Sequence, residues 1–491
     1  MSKYLPRQLP PGHLFPCAAW VFARRALAVC TAGLALAGCV SPAGIGHQGK
    51  ALEPAAIVPQ AEYAIWPGDA WWQEYREPRL AALIAEALAA NPGLAAAQAR
   101  IAKAGALVAG ANSRLAPQVS AGFSSSFQRY PINGIFPPPL GGSDDSENRL
   151  AVDATWELDF FGRNRAALAA ANAGAAASAA EAQAARLAVA AAVARNYFEI
   201  ARLLAQREIA VATRDQRVRI AKLVAARVEE GLDSNVELRQ AEGAIPQIEG
   251  EIARLDEAVG LTRAALATLV GGRAEATRDL APALAAAPTP QLPGAIPSDL
   301  LAHRADVTAA RWRVEAASHD IASTRAEFYP SVNLTAFAGL ASLGLDRLFE
   351  AGSGTFGVAP AVRLPIFDAG RLRAKLSAAN ADLDGAIADY NQTLLSALQE
   401  VVSTITAIRA LDRQMSEQRA AQAAAESAYE LALQRYQVGL TNYLTVLTTE
   451  SGVLQQRLAA ADLKARALVL DVNLKRALGG GYRADAVASN R

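Results

Sequence analysis

The residue types that could carry chemistry are few here, and their spacing does not serve it. The three cysteines, Cys17, Cys30 and Cys39, all precede residue 40. Neither a disulfide framework nor a zinc site can form in the body of the chain. The four histidines (His13, His47, His303, His319) show no ligand spacing, so no metal is expected. The chain has no Walker loop, no G-x-S-x-G elbow and no H-E-x-x-H pair. The runs Gly271-Gly272 and Gly479–Gly481 end helical stretches, where they cap rather than cradle phosphate. The expectation is no catalysis and no cofactor. Two methionines are too few for a methionine-lined copper path. A net charge of +1, from 48 basic and 47 acidic residues, gives no footprint for nucleic acid.

One cysteine has a context of its own. Arg24 and Arg25 precede an apolar run, Ala26 to Gly38, too short to span a membrane. It ends Leu36-Ala37-Gly38-Cys39, similar to the lipobox of bacterial lipoproteins. That similarity implies a signal peptide over 1–38 and lipid attachment at Cys39. Val40, where an aspartate favours retention at the inner membrane, implies delivery to outer-membrane lipid. No later stretch of eighteen apolar residues follows.

The elements that would carry a function come in two copies. Gly162-Arg163 returns as Gly370-Arg371, and Arg227-x-x-x-Gly231-Leu232 as Arg435-x-x-x-Gly439-Leu440, both at an offset of 208. Ala116-Pro117-Gln118-Val119 matches Tyr329-Pro330-Ser331-Val332 at 213, so the change of offset falls in a loop. Each half opens with a helical stretch, 80–113 and 303–327. Then come two segments of period two, the signature of strands. Val119, Ala121, Phe123, Ser125 and Phe127 share one face; Leu150, Val152, Ala154, Trp156, Leu158 and Phe160 share another. Their counterparts run from Val332 to Leu340 and from Phe356 to Ile366. Each is about ten residues, enough to cross a bilayer as a tilted barrel strand. The intervening loops are expected at 129–149 and 341–355.

Very long helices follow. No proline interrupts Gly162 to Ile245, and Arg163 to Gly231 as helix would reach roughly 100 Å. Leu383, Ile387, Tyr390, Leu394, Ala397, Val401, Thr404, Ile408, Leu411 and Met415 form a heptad seam. The matching seam in the first half is mostly alanine. Gly231 and Gly439 end these helices, a second helix returns from each, and Pro246 should kink the first return. Four strands with open edges cannot stand in lipid, and a closed barrel needs at least about eight. The chain must therefore assemble; strand counting alone does not fix how many copies.

These residues resemble the outer membrane factor family, the TolC-like channels, in their lipoprotein (NodT-type) branch that serves tripartite efflux systems of the RND type. The matching runs are Trp71-Trp72-x-x-Tyr75-x-x-Pro78-x-Leu80, Asn91-Pro92-x-Leu94, Ile296-Pro297-Ser298-Asp299-Leu300-Leu301-x-x-Arg304-x-Asp306, Pro365 to Arg371, and Arg435-Tyr436-x-x-Gly439-x-x-x-Tyr443-Leu444-x-Val446-Leu447. Ala305 stands where proline is usual. The resemblance implies an α+β membrane protein and a homotrimer, with twelve strands in a barrel continued by a coiled-coil periplasmic tunnel. Its domains would be 39–80 (lipid-anchored segment), 81–272 (first repeat), 273–302 (equatorial linker), 303–480 (second repeat) and 481–491 (tail). It implies a passive exit duct joined to a periplasmic adaptor, or membrane fusion protein, and an inner-membrane transporter. Adaptor contact falls on Arg227, Gly231, Leu232, Arg435, Gly439 and Leu440. The gate falls on Tyr436, Thr445, Thr448, Glu450 and Glu237, with Tyr436 as a tether between helices. Threonines at 445 and 448, where relatives carry carboxylates, put an acidic ring in doubt. The strand-to-helix junctions are Gly162, Arg163, Asp368, Gly370 and Arg371, with Asp159 and Asp368 placed as helix caps. A type I secretion duct and a non-channel coiled-coil lipoprotein are the rival readings.

Overall fold

The structure, a computed structural model, describes residues 40–53, 67–284 and 304–482. The signal segment, Cys39, most of the 273–302 linker, the motif residues 296–303 and most of the tail lie outside the described residues. A 3₁₀ turn, Trp71–Tyr75, leads into α1 (Pro78–Ala90) and α2 (Pro92–Ser113). Strands β1 (Gln118–Arg129) and β2 (Asp144–Leu158) follow, then α3 (Arg163–Glu229), α4 (Asn235–Leu269) and the short α5 (Glu275–Arg278). The second half holds α6 (Ala305–Ala326), β3 (Ser331–Leu343), β4 (Gly354–Arg363), α7 (Arg371–Gln437) and α8 (Tyr443–Ala477). Helices α3 and α7 are each 67 residues, and α4 and α8 each 35. The internal duplication thus extends to element boundaries.

The described residues divide into two compact units that cut across the repeats. One holds Gly110–Ala169 and Ser318–Asp382 with the described residues up to Gln48. Its centre is one antiparallel sheet in the order β1-β2-β3-β4. The register places Leu150 between Phe123 and Leu340, and Ala336 between Ala154 and Val358. One face therefore carries Val119, Phe123, Leu150, Val152, Trp156, Val332, Leu334, Phe356 and Val358. The other carries Ser120, Ser124, Arg149, Asp153, Asn333 and Thr335, with Arg149 and Asp153 paired at 2.5 Å. In a water-soluble domain the apolar face would be the covered one. Here it is bare, and Phe356 is 87% exposed. From Val332 to Leu340, tilted as in a barrel, this band is roughly 20 Å tall.

The strands differ from the expected spans at their ends. β2 starts at Asp144, and the loop shrinks to 130–143, because the ladder continues to Arg129↔Asp144 after the apolar alternation has stopped. Hydrogen bonding, not side-chain polarity, decides where a ladder ends. At the other end Phe160, Leu364 and Ile366 lie beyond the strands, where Gly162 and Pro365 break the pairing. The first helical stretch is two helices, broken at Asn91, whose extended ψ of 122° obeys the restriction before Pro92.

The second unit comprises Gly49–Ala109, Ala170–Ala317 and the described residues from Leu383 on. Nine of the ten seam residues of α7 are buried, Leu383 to Leu411; Met415 is half-buried. The alanine-rich α3 packs just as tightly, through Ala190, Ala191, Val193, Ala194, Tyr197 and Ile200, onto Trp71, Leu83 and Leu266. Small side chains let helix backbones approach closely. One window of α7 reaches a mean hydropathy of 1.3 over 18 residues, against the expectation of no later membrane-length apolar stretch. Exposed Leu395 and Val402 add there to the buried seam residues. Leu394 sits in the α7 seam at 1% exposure. Leu394→Ala should cost about 2–5 kcal/mol, read as earlier loss of helical circular dichroism on heating.

Candidate functional site

Two places concentrate the expected site residues. The first, in the sheet-bearing unit, is where strands become helices. Gly162 and Gly370 both adopt positive φ, 79° and 88°. The Asp159 carboxylate accepts the Asn164 and Arg165 N–H groups at 3.2 and 2.9 Å. Asp368 accepts those of Leu372 and Gly370 at 2.9 and 3.1 Å. These are helix N-caps, favoured by the positive end of the dipole. Arg163 pairs with Glu157, while Arg371 stays exposed, 3.9 Å from Asp368. A recess of about 810 Å³ opens here, but its carboxylates are already engaged by the caps and by Arg163 and Lys375.

The second place is the pair of helical tips in the other unit. Helix α3 ends with Leu232 N–H to the Arg227 carbonyl at 2.8 Å and Gly231 N–H to Val228 at 3.0 Å. Helix α7 repeats this with Leu440 to Arg435 at 2.7 Å and Gly439 to Tyr436 at 3.0 Å. Both are Schellman turns, and each needs a residue at φ near +75°, which is Gly231 at 76° and Gly439 at 73°. Each return helix is then capped. Ser234 and Glu237 form a capping box on α4, and Asn442 accepts the Thr445 N–H at 3.2 Å on α8.

Within this shared scaffold the two tips carry different chemistry. Asp233 receives the Arg227 Nε–H at 2.9 Å and the Tyr436 hydroxyl at 2.5 Å. The Arg227 guanidinium lies 4.8 Å over the Tyr436 ring. Tyr436 is fully buried. These three groups clasp the first tip to the second. Burial alone would raise the Asp233 carboxyl; hydrogen bonds from Arg227 and Tyr436 outweigh it and hold it below the usual carboxylate range. The counterparts at the second tip are Arg435, Thr441 and, for Tyr436, Val228 of the first. No carboxylate stands at 441, and among the described residues Arg435 has no ion pair.

Three of the expected site residues are held by partners within the chain. The Arg227 guanidinium is engaged by Asp233 and the Tyr436 ring. Glu237 turns back to the Ser234 N–H at 3.0 Å as a cap, rather than out as a gate charge. Glu450, at 3% exposure, is sealed among helices and paired with Arg217 at 2.9 Å. Thr445 and Thr448 are exposed, with hydroxyls bonded to Asn442 and to the Leu444 carbonyl at 3.0 and 2.8 Å. Gly231, Gly439, Arg435, Leu232 and Leu440 are all exposed, the two leucines at 60% and 66%.

Asp233 and Arg217 escape a reading by motif. The signal for Asp233 is a carboxylate directly after the matched Gly231-Leu232, where the second repeat has Thr441. The signal for Arg217 is a charge in the spacing Ala210, Thr213, Arg217, Ile220, Val224, a buried seam.

The chain matches the family model described as outer membrane efflux protein over residues 83–272 and 296–480. It is 31% identical over 436 residues to the multidrug resistance outer membrane protein MdtP of Shigella flexneri, covering 87% of this chain and 89% of that protein. It is 35% identical over 370 residues to the fusaric acid resistance protein FusA of Burkholderia cepacia, covering 72% and 69%. Among solved structures it is similar to the outer membrane protein VceC of Vibrio cholerae, with a TM-score of 0.79, 35% identity and coverage of 85% and 100%.

Proposed function

Because this chain belongs to the outer membrane efflux protein family, we propose that it is the outer-membrane channel of a tripartite efflux pump, a passive exit duct for small molecules. The observation that carries this is the sheet: one bare apolar face, one polar face, and two unpaired edges, β1 and β4. Lipid accepts the first face, a water-filled lumen the second, and only closure onto further copies satisfies the edges. Three copies give twelve strands, as the family resemblance implies.

The chain resides in the outer membrane. Its lipid attachment at Cys39 is supported by the Leu36-Ala37-Gly38-Cys39 motif. The exposed tip residues Leu232, Val438, Leu440 and Arg435 suit a periplasmic adaptor, which in turn connects to an inner-membrane transporter. The clasp of Arg227, Asp233 and Tyr436 holds the tips together until that adaptor docks. The relatives are named for drug and fusaric acid resistance, which favours small organic cargo over a secreted protein.

The test is native mass together with single-channel conductance in a planar bilayer. The expected result is a trimer with small, flickering conductance. A monomer silent at every potential would return the chain to the non-channel lipoprotein reading.

A further inference from the structure

Beyond the cluster around Trp71, two further apolar cores follow along α3 and α4. The upper joins Leu203, Ala210, Ile248, Ile252, Leu255 and Val259. The lower joins Ile220, Val224, Ala241, Tyr436, Tyr443 and Val446 and reaches the clasp. Between them lies a single polar layer. Arg217 of α3 donates Nε–H to Glu450 of α8 at 2.9 Å and Nη1–H to the Ala244 carbonyl of α4 at 2.8 Å. Gln216 adds a longer bond to Glu450, at 3.5 Å. Both ionic side chains are buried, at 6% and 4% exposure. Burial pushes the Glu450 carboxyl up despite the neighbouring guanidinium. Such a layer is a poor device for stability, since desolvation offsets most of the attraction.

Its position says more than its energy. Pro246 removes a backbone N–H from α4 at this same level, where helices bend. The duplicate repeat lacks the arrangement: Arg217 corresponds to Ala425, Pro246 to Leu454, and Glu450 to Glu242, which is exposed and pairs with Arg239 at 2.7 Å. Close-packed cores move as bodies rather than deforming. An interrupted core with a proline at the interruption therefore has a preferred place to bend.

We propose that Arg217 and Glu450 are positioning residues for the gate: their polar layer is the fulcrum about which the lower core and tips swing once the clasp opens. The upper core stays in place. The inference rests on the gated-duct reading above.

The test uses the purified full chain in planar bilayers, in a background where Asp233→Ala has opened the clasp. Adding Arg217→Met with Glu450→Met fuses the two cores into one. Open probability should fall about tenfold from the Asp233→Ala level while thermal stability holds or rises. A purely structural pair would alter stability and leave opening alone. Pro246→Ala, which restores the missing backbone N–H at the same level, should likewise lower opening, and it does not depend on the double substitution assembling. If neither change lowers the conductance of the Asp233→Ala channel, the fulcrum is overturned while the gate stands. If Asp233→Ala itself conducts no more than the parent, the gate reading falls and takes the fulcrum with it.

Discussion

Replacing Asp233 with alanine should open the tips. The carboxylate holds two charge-assisted hydrogen bonds, from Arg227 at 2.9 Å and Tyr436 at 2.5 Å. Each such bond contributes roughly 1.5–3 kcal/mol, and the substitution also leaves a cation and a buried hydroxyl without their acceptor. Losing even one of them shifts a closed-to-open equilibrium by about tenfold or more. The measurement is open probability in a planar bilayer, with uptake of a bulky antibiotic by intact cells as the second readout. Thr441→Ala at the duplicate position removes no ion pair and should leave both unchanged. Tyr436→Phe removes one bond of the two and should fall between them.

The same clasp predicts a direction with pH. Asp233 titrates below the usual carboxylate range in the folded state, held there by Arg227 and Tyr436 against the opposing effect of burial. A depressed folded value means the contribution is fully present above the unfolded value and disappears as pH falls through the folded one. Neutral and mildly acid solutions should therefore keep the tips closed, and strong acid should open them. A channel that opened on raising the pH would contradict this assignment.

The second large effect is expected at Gly339. A Cβ built there would stand 2.2 Å from the Leu150 carbonyl oxygen and 2.5 Å from the Ala151 Cα. Both are backbone atoms of the paired strand β2, so no rotamer change relieves the clash. Overpacking by a side chain that can still adjust costs about 1–3 kcal/mol. A backbone collision in the middle of a ladder leaves only separation of β2 from β3, and a trimer would meet it three times. Gly339→Val should abolish the heat-modifiable trimer on a gel and leave the protein as degraded monomer. Gly122→Ala, in the same sheet with nothing within 4 Å of its built Cβ, should assemble normally. A stable Gly339→Val trimer would mean that β2 and β3 do not pair in this register.

Much of the architecture is legible in the sequence. Period-two alternation identifies the strands because a pleated chain turns successive side chains to opposite faces. Period 3.5 identifies the α7 seam because only that spacing keeps one stripe against a partner. The offset of 208 repeats in helix boundaries, since like residues at like spacing meet the same local forces. The tip glycines were equally visible, because a left-handed turn at a helix end excludes a Cβ regardless of what surrounds it. Local chemistry settled all of these.

What the sequence could not settle was which side chains meet across hundreds of positions. Tyr436 could be expected to tether a neighbouring helix, but nothing in the chain order selects Asp233, 203 residues away, over Glu237 four residues later. The choice follows from geometry. Glu237 sits at the third position of α4, where the Ser234 N–H captures it; Asp233 projects from the turn itself, within reach of both Arg227 and Tyr436. Glu450 likewise belongs to a plausible gate segment when read along the chain. Helix packing rotates it inward onto Arg217, 233 residues earlier. Periodicity says that a side chain lies on a face. Which partner covers that face, and whether it is a carbonyl, a guanidinium or water, is decided only when the helices dock, because the energy of a charge depends on what replaces its water.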